Sequence, residues 1–230
     1  MKLSVIIPAY NEEKTILAVI NKVKSVSLPI GREIIVVDDC SEDSTRKMLS
    51  ELRDGSIKIF FHRKNMGKGA AVRTGITHAS GNIILVQDAD FEYNPEEYPR
   101  LLKPIIEGKA EVVYGSRIES IRSNLRKMYK LHYLGNVFLT AVTNLLYGSK
   151  ITDMETGYKV FRKEVIDGIR IRARGFDFEP EITAKILKRG FRIEEVRIDF
   201  MGRRFDEGKK ITWVDGIKAA YYLIKYRFID

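Results

Sequence analysis

Short apolar runs alternate with amphipathic segments through the first half of the chain. The runs are rich in Val, Ile and Leu and end in polar clusters, which is typical of buried strands, and the segments between them have helical spacing. The pattern predicts strands at residues 3–8, 33–38, 57–61, 83–87 and 112–115. It predicts helices at residues 12–26, 43–53, 68–79 and 95–107, with Ser41, Asn65 and Asn94 near plausible starts.

The second half has a less regular pattern. Residues 118–147 are rich in Arg, Lys, Tyr, Leu and Phe and are predicted to be helical with a basic start. Residues 180–189 and 211–228 also have helical spacing, and residues 193–200 fit a strand. The alternation of strand and helix predicts right-handed βαβ crossovers, a mostly parallel sheet and, at 230 residues, one α/β domain.

Composition narrows the range of partners. The chain has 40 Lys and Arg against 31 Asp and Glu, a formal net charge of +9. This surplus favours an anionic partner, such as nucleic acid, nucleotide phosphates or an acidic membrane surface. Cys40 is the single cysteine, which excludes an intramolecular disulfide and a cysteine-based zinc cluster and fits a reducing, intracellular setting. No run reaches the roughly 18 apolar residues of a membrane-spanning helix.

Two aspartates, Asp88 and Asp90, follow the predicted strand at residues 83–87. Open α/β sheets place their ligands at the carboxyl ends of strands, so these carboxylates are predicted to lie at the edge of a site. Carboxylates this close repel each other unless a cation or hydrogen-bond donors compensate them, and a hard divalent metal is the simplest compensation. An ordinary Asp-rich turn is the alternative.

The loops after the first two strands also carry candidate ligand residues. The segment PAYNEE offers an aromatic ring, an amide and carboxylates for a base and ribose, or a helix start capped by Asn11. Asp38 and Asp39 end the second strand, where a carboxylate accepts hydrogen bonds from a base or ribose or caps a helix. The first loop lacks the G-x-G-x-x-G pattern, which argues against an NAD-type fold, and GKGAAVRTG is not a Walker loop.

These loops, in their order along the chain, resemble a known family. The segments are SVIIPAYNEE, EIIVVDDCSEDST, NMGKGAAVRTG, DADFEYNP and YGSR, followed by TDMETGYKVF, FDFEPEI and GRRFDEGKKI. Together they resemble the family-2 glycosyltransferases of GT-A fold, in the branch of dolichol-phosphate mannose synthases and polyprenyl-phosphate hexosyltransferases. The resemblance implies a Rossmann-like, mostly parallel sheet flanked by helices in a single domain. It implies a nucleotide-sugar half at about residues 1–116 and an acceptor half at about residues 117–230.

The resemblance assigns the donor site. Asp88, Asp90 and Glu92 match the positions that hold Mg²⁺ or Mn²⁺ on the diphosphate, and Glu92 departs from the Gln usual in the mannose synthases. The matching nucleotide-pocket positions are Pro8, Tyr10, Glu12, Asp39 and, through its backbone, Ala89.

The resemblance also assigns catalytic groups beside Asp90. Arg203 and Lys209 match a basic pair that closes over the phosphates, although Arg204 and Lys210 fit the same spacing. Arg117 is expected to hold the acceptor phosphate, and Asp153 to orient a group or, less simply, to act as a base. Further candidates for the acceptor phosphate are Arg126, Lys127 and Lys130. A lipid phosphate is already an anion, so it needs no strong base, which predicts inversion at the sugar.

The function implied is transfer of a hexose from a nucleotide sugar to a dolichyl or polyprenyl phosphate. GDP-mannose, which supplies mannose, is the favoured donor. The alternatives are UDP-glucose as the donor, or a saccharide in place of the lipid phosphate as the acceptor. The protein is expected to be peripheral on the cytoplasmic face of the membrane, with a possible membrane partner subunit. Residues 117–147 and the C-terminal helix would contact the lipid, or pack as ordinary core helices.

Two other classes compete with this interpretation. A sugar-nucleotide pyrophosphorylase needs a Gly-rich basic loop after the first strand, where this chain has PAYNEE. A basic nucleic-acid-binding protein has no need of a carboxylate cluster. The sequence therefore predicts an enzyme with no nucleic-acid partner.

Overall fold

The fold is built on one seven-stranded sheet. The computed structural model describes residues 1–123, 130–175, 177–202 and 213–229. The strands are β1 (Lys2–Ala9), β2 (Gly31–Asp38), β3 (Ile57–Phe61), β4 (Ile83–Val86), β5 (Val112–Ser116), β6 (Lys159–Arg162) and β7 (Ile193–Arg197). Their order across the sheet is β3-β2-β1-β4-β6-β5-β7.

Helices cover both faces of this sheet. They are α1 (Ile16–Ser25), α2 (Thr45–Glu51), α3 (Lys68–His78), α4 (Tyr98–Ile106), α5 (Ile118–Ser123), α6 (Lys130–Tyr147), α7 (Lys163–Ile166), α8 (Phe178–Lys188) and α9 (Trp213–Phe228). A 3₁₀ turn, Pro95–Glu97, precedes α4. Among the residues described, none of these helices is long and apolar enough to cross a membrane.

The α/β class and the mostly parallel sheet are confirmed. The pairs β1–β2, β2–β3, β1–β4 and β5–β7 are parallel, whereas β6 runs antiparallel to both β4 and β5. Strand β6 was not predicted. It is four residues long and begins with Lys159, a buried lysine whose charge hides the apolar pattern of a strand.

Several element boundaries differ from the prediction. Helix α1 begins at Ile16 and not at residue 12, because Asn11 has a φ of 52° and the carbonyl of Glu12 already accepts from the backbone of Thr15 and Ile16. Ser41 and Asn65 are not caps, since α2 follows Ser44 and α3 follows Gly67. Asn94 is a cap, and its side chain accepts from the Glu96 backbone at 3.1 Å.

The predicted second-half elements have different bounds in the structure, and helix α8 begins two residues earlier than predicted. Strand β7 ends at Arg197, and beyond it Phe200 forms an isolated bridge with Tyr93. The predicted helix at residues 118–147 corresponds to α5 and α6, and residues 124–129 between them lie outside the described part.

Two apolar clusters sandwich the sheet. Alternate residues of β1 point to opposite faces, so that Val5 and Ile7 pack in one cluster and Ile6 in the other. Burial on both faces explains why the parallel strands have continuous apolar runs. The polar residues that follow these strands are therefore gathered at one edge of the sheet, its carboxyl edge.

Candidate active site

A cleft of about 400 Å³ opens at the carboxyl edge of the sheet. It collects most of the residues that the sequence singled out. They are Pro8, Tyr10, Glu12, Asp39, Asp88, Ala89, Asp90, Glu92 and Arg117. Asp153 does not line the cleft and lies fully buried behind it. The basic candidates Arg203, Lys209, Arg204, Lys210, Arg126 and Lys127, and the side chain of Lys130, lie outside the described part of the chain.

Asp39 ties the loop before α3 to the floor of the cleft. Its carboxylate accepts from the backbone N–H groups of Met66 at 2.9 Å and Gly67 at 2.6 Å, and it lies 2.6 Å from His62 Nδ1. Gly67 has a φ of 89°, and a Cβ there would lie 2.2 Å from the carbonyl oxygen of Arg174. Asp39 thus holds a tight loop in place and presents its outer edge to the cleft. Asp38 is buried beside it, 3.3 Å from Arg46, and does not line the cleft.

Thr15 connects the first loop to the loop after β4. Its hydroxyl donates to the backbone carbonyl of Ala89 at 2.8 Å and lies 3.1 Å from Glu12 Oε2. The backbone N–H of Glu12 donates to Thr45 Oγ1 at 2.9 Å. These bonds hold the loops after β1 and β4 in register and bury Glu12 at the cleft wall.

The three carboxylates Asp88, Asp90 and Glu92 line the same cleft. The backbone N–H of Glu92 donates to Asp90 Oδ1 at 3.0 Å, which shapes the turn. Gly157 approaches from β6, and a Cβ at that position would lie 2.4 Å from Asp88 Oδ2. The backbone of the TDMETGYKVF segment therefore closes directly over Asp88, which only glycine allows at that distance.

The donor chemistry of these carboxylates fits a hard divalent cation. Within the described residues no group of three or more His, Cys, Asp or Glu side chains is arranged to hold a metal by itself. Mg²⁺ is usually bound by one or two carboxylates together with substrate phosphates, and not by an all-protein cage. An open set of carboxylate oxygens at the cleft suits that mode of binding.

Lys68 bridges the carboxylates from the start of α3. Its Nζ lies 2.8 Å from Asp88 Oδ1 and 2.8 Å from Glu179 Oε1. Burial lowers the pKa of Lys68, but the charges of Asp88 and Glu179 outweigh burial and raise it well above its usual value. Lys68 is therefore a fixed cation between a predicted metal ligand and helix α8.

Arg117 is buried at the far wall of the cleft. Its Nε and Nη2 donate to the two oxygens of Asp153, each at 2.7 Å, and its backbone N–H donates to the same carboxylate at 2.9 Å. Asn136 of α6 adds a donor to Asp153 at 2.7 Å. Burial raises the pKa of Asp153, but the Arg117 charge and these hydrogen bonds lower it overall. Asp153 thus orients Arg117 and does not itself reach the cleft.

Three chemically important residues were not singled out from the sequence. Glu155 and Glu179 line the cleft, and Lys159 is buried near them, donating to the carbonyls of Met154 at 2.9 Å and Thr156 at 2.6 Å. Burial and repulsion from Glu179 raise the pKa of Glu155 to about 8. Burial lowers the pKa of Lys159 to about 8. Glu155 and Glu179 lie inside TDMETGYKVF and FDFEPEI, so the signal was present but spacing alone gave them no role.

Solved structures identify the fold. Glucosyl-3-phosphoglycerate synthase from Mycobacterium tuberculosis, solved with Mn²⁺, UDP and phosphoglyceric acid, has a TM-score of 0.74 at 21% identity. The match covers 100% of this chain and 79% of that chain. The same enzyme solved with UDP has a TM-score of 0.76 at 20% identity, covering 100% and 81%. The fold is therefore that of the GT-A glycosyltransferases, as the sequence predicted.

The family follows from sequence. The model described as glycosyl transferase family 2 matches residues 4–170, and the chain belongs to this family of enzymes. It is 30% identical to the UDP-N-acetylglucosamine–dolichyl-phosphate N-acetylglucosaminyltransferase of Methanococcus voltae, over 95% of this chain and 93% of that protein. It is 31% identical to the dolichol-phosphate mannosyltransferase of Pyrococcus furiosus, over 98% of this chain and 64% of that longer protein. The predicted branch and enzyme class are confirmed.

Proposed function

We propose that this protein transfers a hexose from a nucleotide sugar to a dolichyl or polyprenyl phosphate, with inversion, as a peripheral protein on the cytoplasmic face of a membrane. Both named relatives act on dolichyl phosphate, one with N-acetylglucosamine and one with mannose. GDP-mannose remains our favoured donor, with UDP-glucose and UDP-N-acetylglucosamine as the competing donors. Residues 1–116 would supply most of the donor site and residues 117–230 most of the acceptor site.

The donor would lie along the cleft from the loops of β1 and β2 towards the loop of β4. Its nucleoside would contact Pro8, Tyr10, Glu12 and Asp39 and the backbone of Ala89, all of which line the cleft. Mg²⁺ or Mn²⁺ held by Asp88, Asp90 and Glu92 would supply Lewis-acid stabilisation of the diphosphate leaving group. Lys68 contributes a fixed positive charge beside these carboxylates.

Arg117 is the described residue best placed to position the acceptor phosphate. Asp153 engages its Nε and Nη2, so the guanidinium is locked in one orientation while it still lines the cleft. An arginine held in this way presents its remaining N–H groups to a phosphate at little entropic cost. The acceptor phosphate is itself the nucleophile, so the chain needs to orient it and exclude water and not to remove a proton from it.

The observation that carries the lipid acceptor is a pair of exposed apolar stripes on two neighbouring helices. Leu134, Phe138 and Leu145 form the stripe on α6; Ile217, Tyr221, Ile224 and Phe228 form the stripe on α9. These side chains are between 51% and 84% exposed, while the opposite faces of both helices pack around Leu139 and Leu223. Contiguous exposed apolar surface of this kind marks contact with a membrane or a partner. Asn136 connects α6 to Asp153 and so to the cleft.

A lipid-transfer assay tests the proposal. The protein is incubated with polyprenyl phosphate in vesicles, Mn²⁺ or Mg²⁺, and labelled GDP-mannose, UDP-glucose or UDP-N-acetylglucosamine in turn. We expect label from one donor in the organic phase, and a Phe138→Ser, Ile224→Ser double variant that binds vesicles and transfers label at least about tenfold more weakly. Label on a free saccharide, with none in the organic phase for any donor, would replace the lipid by a saccharide acceptor.

A further inference from the structure

Two carboxyl oxygens in the cleft lack a hydrogen bond from any residue that the structure describes. They are Oε1 of Glu155 and Oε2 of Glu179, and both atoms are shielded from solvent. The Glu179 side chain is only 5% exposed, and both residues line the cleft. A buried acceptor without a donor is destabilising by about 1–3 kcal/mol. Unsatisfied oxygens on residues that line a cleft therefore indicate a ligand that brings the donors.

The nearby cations do not meet this need. Lys68 contacts Glu179 through the other oxygen, Oε1, and also binds Asp88. Lys159 directs its ammonium group to the carbonyls of Met154 and Thr156. Both lysines balance charge around the two glutamates, yet the hydrogen-bonding capacity of Glu155 Oε1 and Glu179 Oε2 stays open.

Glu181 shows that helix α8 can satisfy a buried carboxylate completely. Its oxygens accept from the backbone of Arg172 at 2.9 Å and Ala173 at 2.5 Å, and it pairs with Lys185 at 2.8 Å. Glu181 does not line the cleft. Within one turn of helix, the unsatisfied carboxylate, Glu179, therefore lies where a ligand can reach it, and the satisfied one, Glu181, lies where a ligand cannot.

We propose that Glu155 and Glu179 form a subsite that accepts hydrogen bonds from hydroxyl groups of the hexose ring of the bound nucleotide sugar. This subsite rests on the proposed function. The Glu179 carboxylate repels the diphosphate and the acceptor phosphate, whereas sugar hydroxyls are neutral groups that donate to Glu179 and can exchange hydrogen bonds with Glu155 in either of its protonation states. The Lys68 bridge puts Glu179 beside Asp88, and the hexose is joined to the diphosphate that Asp88 would hold.

The sheet order supports the same placement. The proposed nucleoside residues follow β1 and β2, while Glu155 precedes β6, on the opposite side of β4. A donor whose nucleoside lies at β1 and β2 and whose diphosphate lies at the end of β4 extends its hexose towards β6. Glu155 and Glu179 then hydrogen-bond to particular ring hydroxyls, so the two residues contribute to specificity for the sugar of the donor.

Calorimetric titration separates the sugar from the rest of the donor. With Mn²⁺ present, UDP, GDP, UDP-glucose, UDP-N-acetylglucosamine and GDP-mannose are titrated into wild type, Glu155→Ala, Glu179→Gln and the control Glu181→Gln. The quantity of interest is the ratio of the affinities of a nucleotide sugar and its nucleoside diphosphate. We expect this ratio to fall about tenfold in Glu155→Ala and Glu179→Gln. The nucleoside diphosphate alone should change by less than about twofold, and Glu181→Gln should keep the ratio while losing stability.

Deoxy donors give a measurement whose main readout is on the wild-type protein. Wild-type protein should bind at least one ring-deoxy analogue of its donor about tenfold more weakly, and Glu179→Gln should not distinguish that analogue from the parent sugar. An unchanged ratio in both variants would overturn the subsite. An unchanged ratio with lost transfer in Glu179→Gln would overturn it too and place Glu179 at the acceptor. If wild type binds no nucleotide sugar, the proposed function fails and the subsite with it.

Discussion

The two edges of the sheet both bury carboxylates, and they surround them in opposite ways. At the amino edge, Glu33 accepts from Ser4 at 2.5 Å and from the Ser80 backbone at 2.7 Å, and it pairs with Lys58 at 2.9 Å. At the carboxyl edge, Glu155 and Glu179 each keep a buried oxygen without a donor among the described residues. Glu33 is fully satisfied, whereas Glu155 and Glu179 each have one oxygen left open.

The difference appears in the pKa values of these groups. Burial raises the pKa of Glu33, but the hydrogen bonds from Ser4, Lys58 and Ser80 outweigh it and lower the pKa far below its usual value. Burial raises the pKa of Glu155, and repulsion from Glu179 raises it further. The surroundings of Glu33 therefore stabilise its charge, whereas the surroundings of Glu155 disfavour a charge and leave one of its oxygens without a donor. Enzymes commonly hold such strained groups at the site and compensate for them elsewhere in the fold.

The largest expected effect breaks the carboxyl edge at its proposed metal ligand. Asp90→Asn keeps the shape of the side chain but removes the charge that would hold Mg²⁺ or Mn²⁺. We expect transfer activity to fall about 100-fold or more, because metal stabilisation of a leaving group contributes several kcal/mol and each 1.4 kcal/mol is about tenfold. Initial rates at saturating Mn²⁺ measure it, with the melting temperature as the folding control. Full activity would remove Asp90 from the metal site.

The second prediction removes the buried charge at the amino edge. Glu33→Gln loses the charge that Lys2, Lys58, Ser4 and Ser80 surround, and we expect the free energy of unfolding to fall by about 2 kcal/mol, since hydrogen bonds to charged groups contribute about 1.5–3 kcal/mol each. Urea unfolding measures it. Glu164→Gln, at a side chain that is 67% exposed, is the control and should change stability little.

Activity completes the test of the amino edge. Glu33→Gln should retain wild-type transfer activity per folded molecule, because Glu33 lies at the opposite edge from the cleft and does not line it. A large loss of activity with unchanged stability would contradict the division of labour between the two edges.

The third prediction concerns how stability depends on pH. Glu155 has a folded-state pKa of about 8 against an ordinary value of 4.5, so between these values the folded chain binds more protons than the unfolded chain. Stability from this group therefore falls as the pH rises from 4.5 to about 8. Glu155→Gln cannot titrate, so we expect a flatter profile and a gain of about 1 kcal/mol near neutral pH and above.

Urea midpoints across that range measure the effect. The charged groups acting on Glu155 are Glu179 and Asp153, which raise its pKa, and Lys159 and Arg117, which lower it. Glu33→Gln is the control with the opposite pH dependence. In the wild-type protein the pKa of Glu33 is lowered, so its charge stabilises the fold above pH 4.5, and this contribution is lost as the pH falls below 4.5. Identical pH profiles for wild type and Glu155→Gln would contradict the raised pKa.

Sequence predicted the parallel half of the sheet well, because its strands are buried on both faces and read as continuous apolar runs. The predicted strand at residues 57–61 matches β3 at both ends. Strand β6 was not predicted because Lys159 occupies a core position. Its ammonium group donates to two backbone carbonyls that only the folded chain brings into reach. A buried lysine cannot be distinguished from a surface one by spacing.

The residues of the candidate site also fall into those that the sequence could predict and those that it could not. The residues at strand ends, such as Asp39 and Asp88, were predictable because topology alone brings the loops of parallel strands to one edge. The pairing of Arg117 with Asp153 was not, since the two residues are 36 positions apart and only β5 and β6 bring them together. The unsatisfied oxygens of Glu155 and Glu179 are equally a property of packing, which no motif encodes.

The smallest expected effect asks which donors stabilise Glu33. Lys58 lies 2.9 Å from Glu33 Oε2, but its side chain is 46% exposed, and such ion pairs contribute about 0.2–1 kcal/mol. Lys58→Met keeps the stem and removes the charge, and we expect a loss of about 0.5 kcal/mol that shrinks in high salt, with Lys2→Met as its matched partner. The enclosed donors Ser4, Ser80 and Gly81 remain in both variants. If Lys58→Met instead weakened the fold as much as Glu33→Gln, the amino edge would depend on its ion pairs and not on its neutral donors, and the contrast between the two edges would be one of net charge.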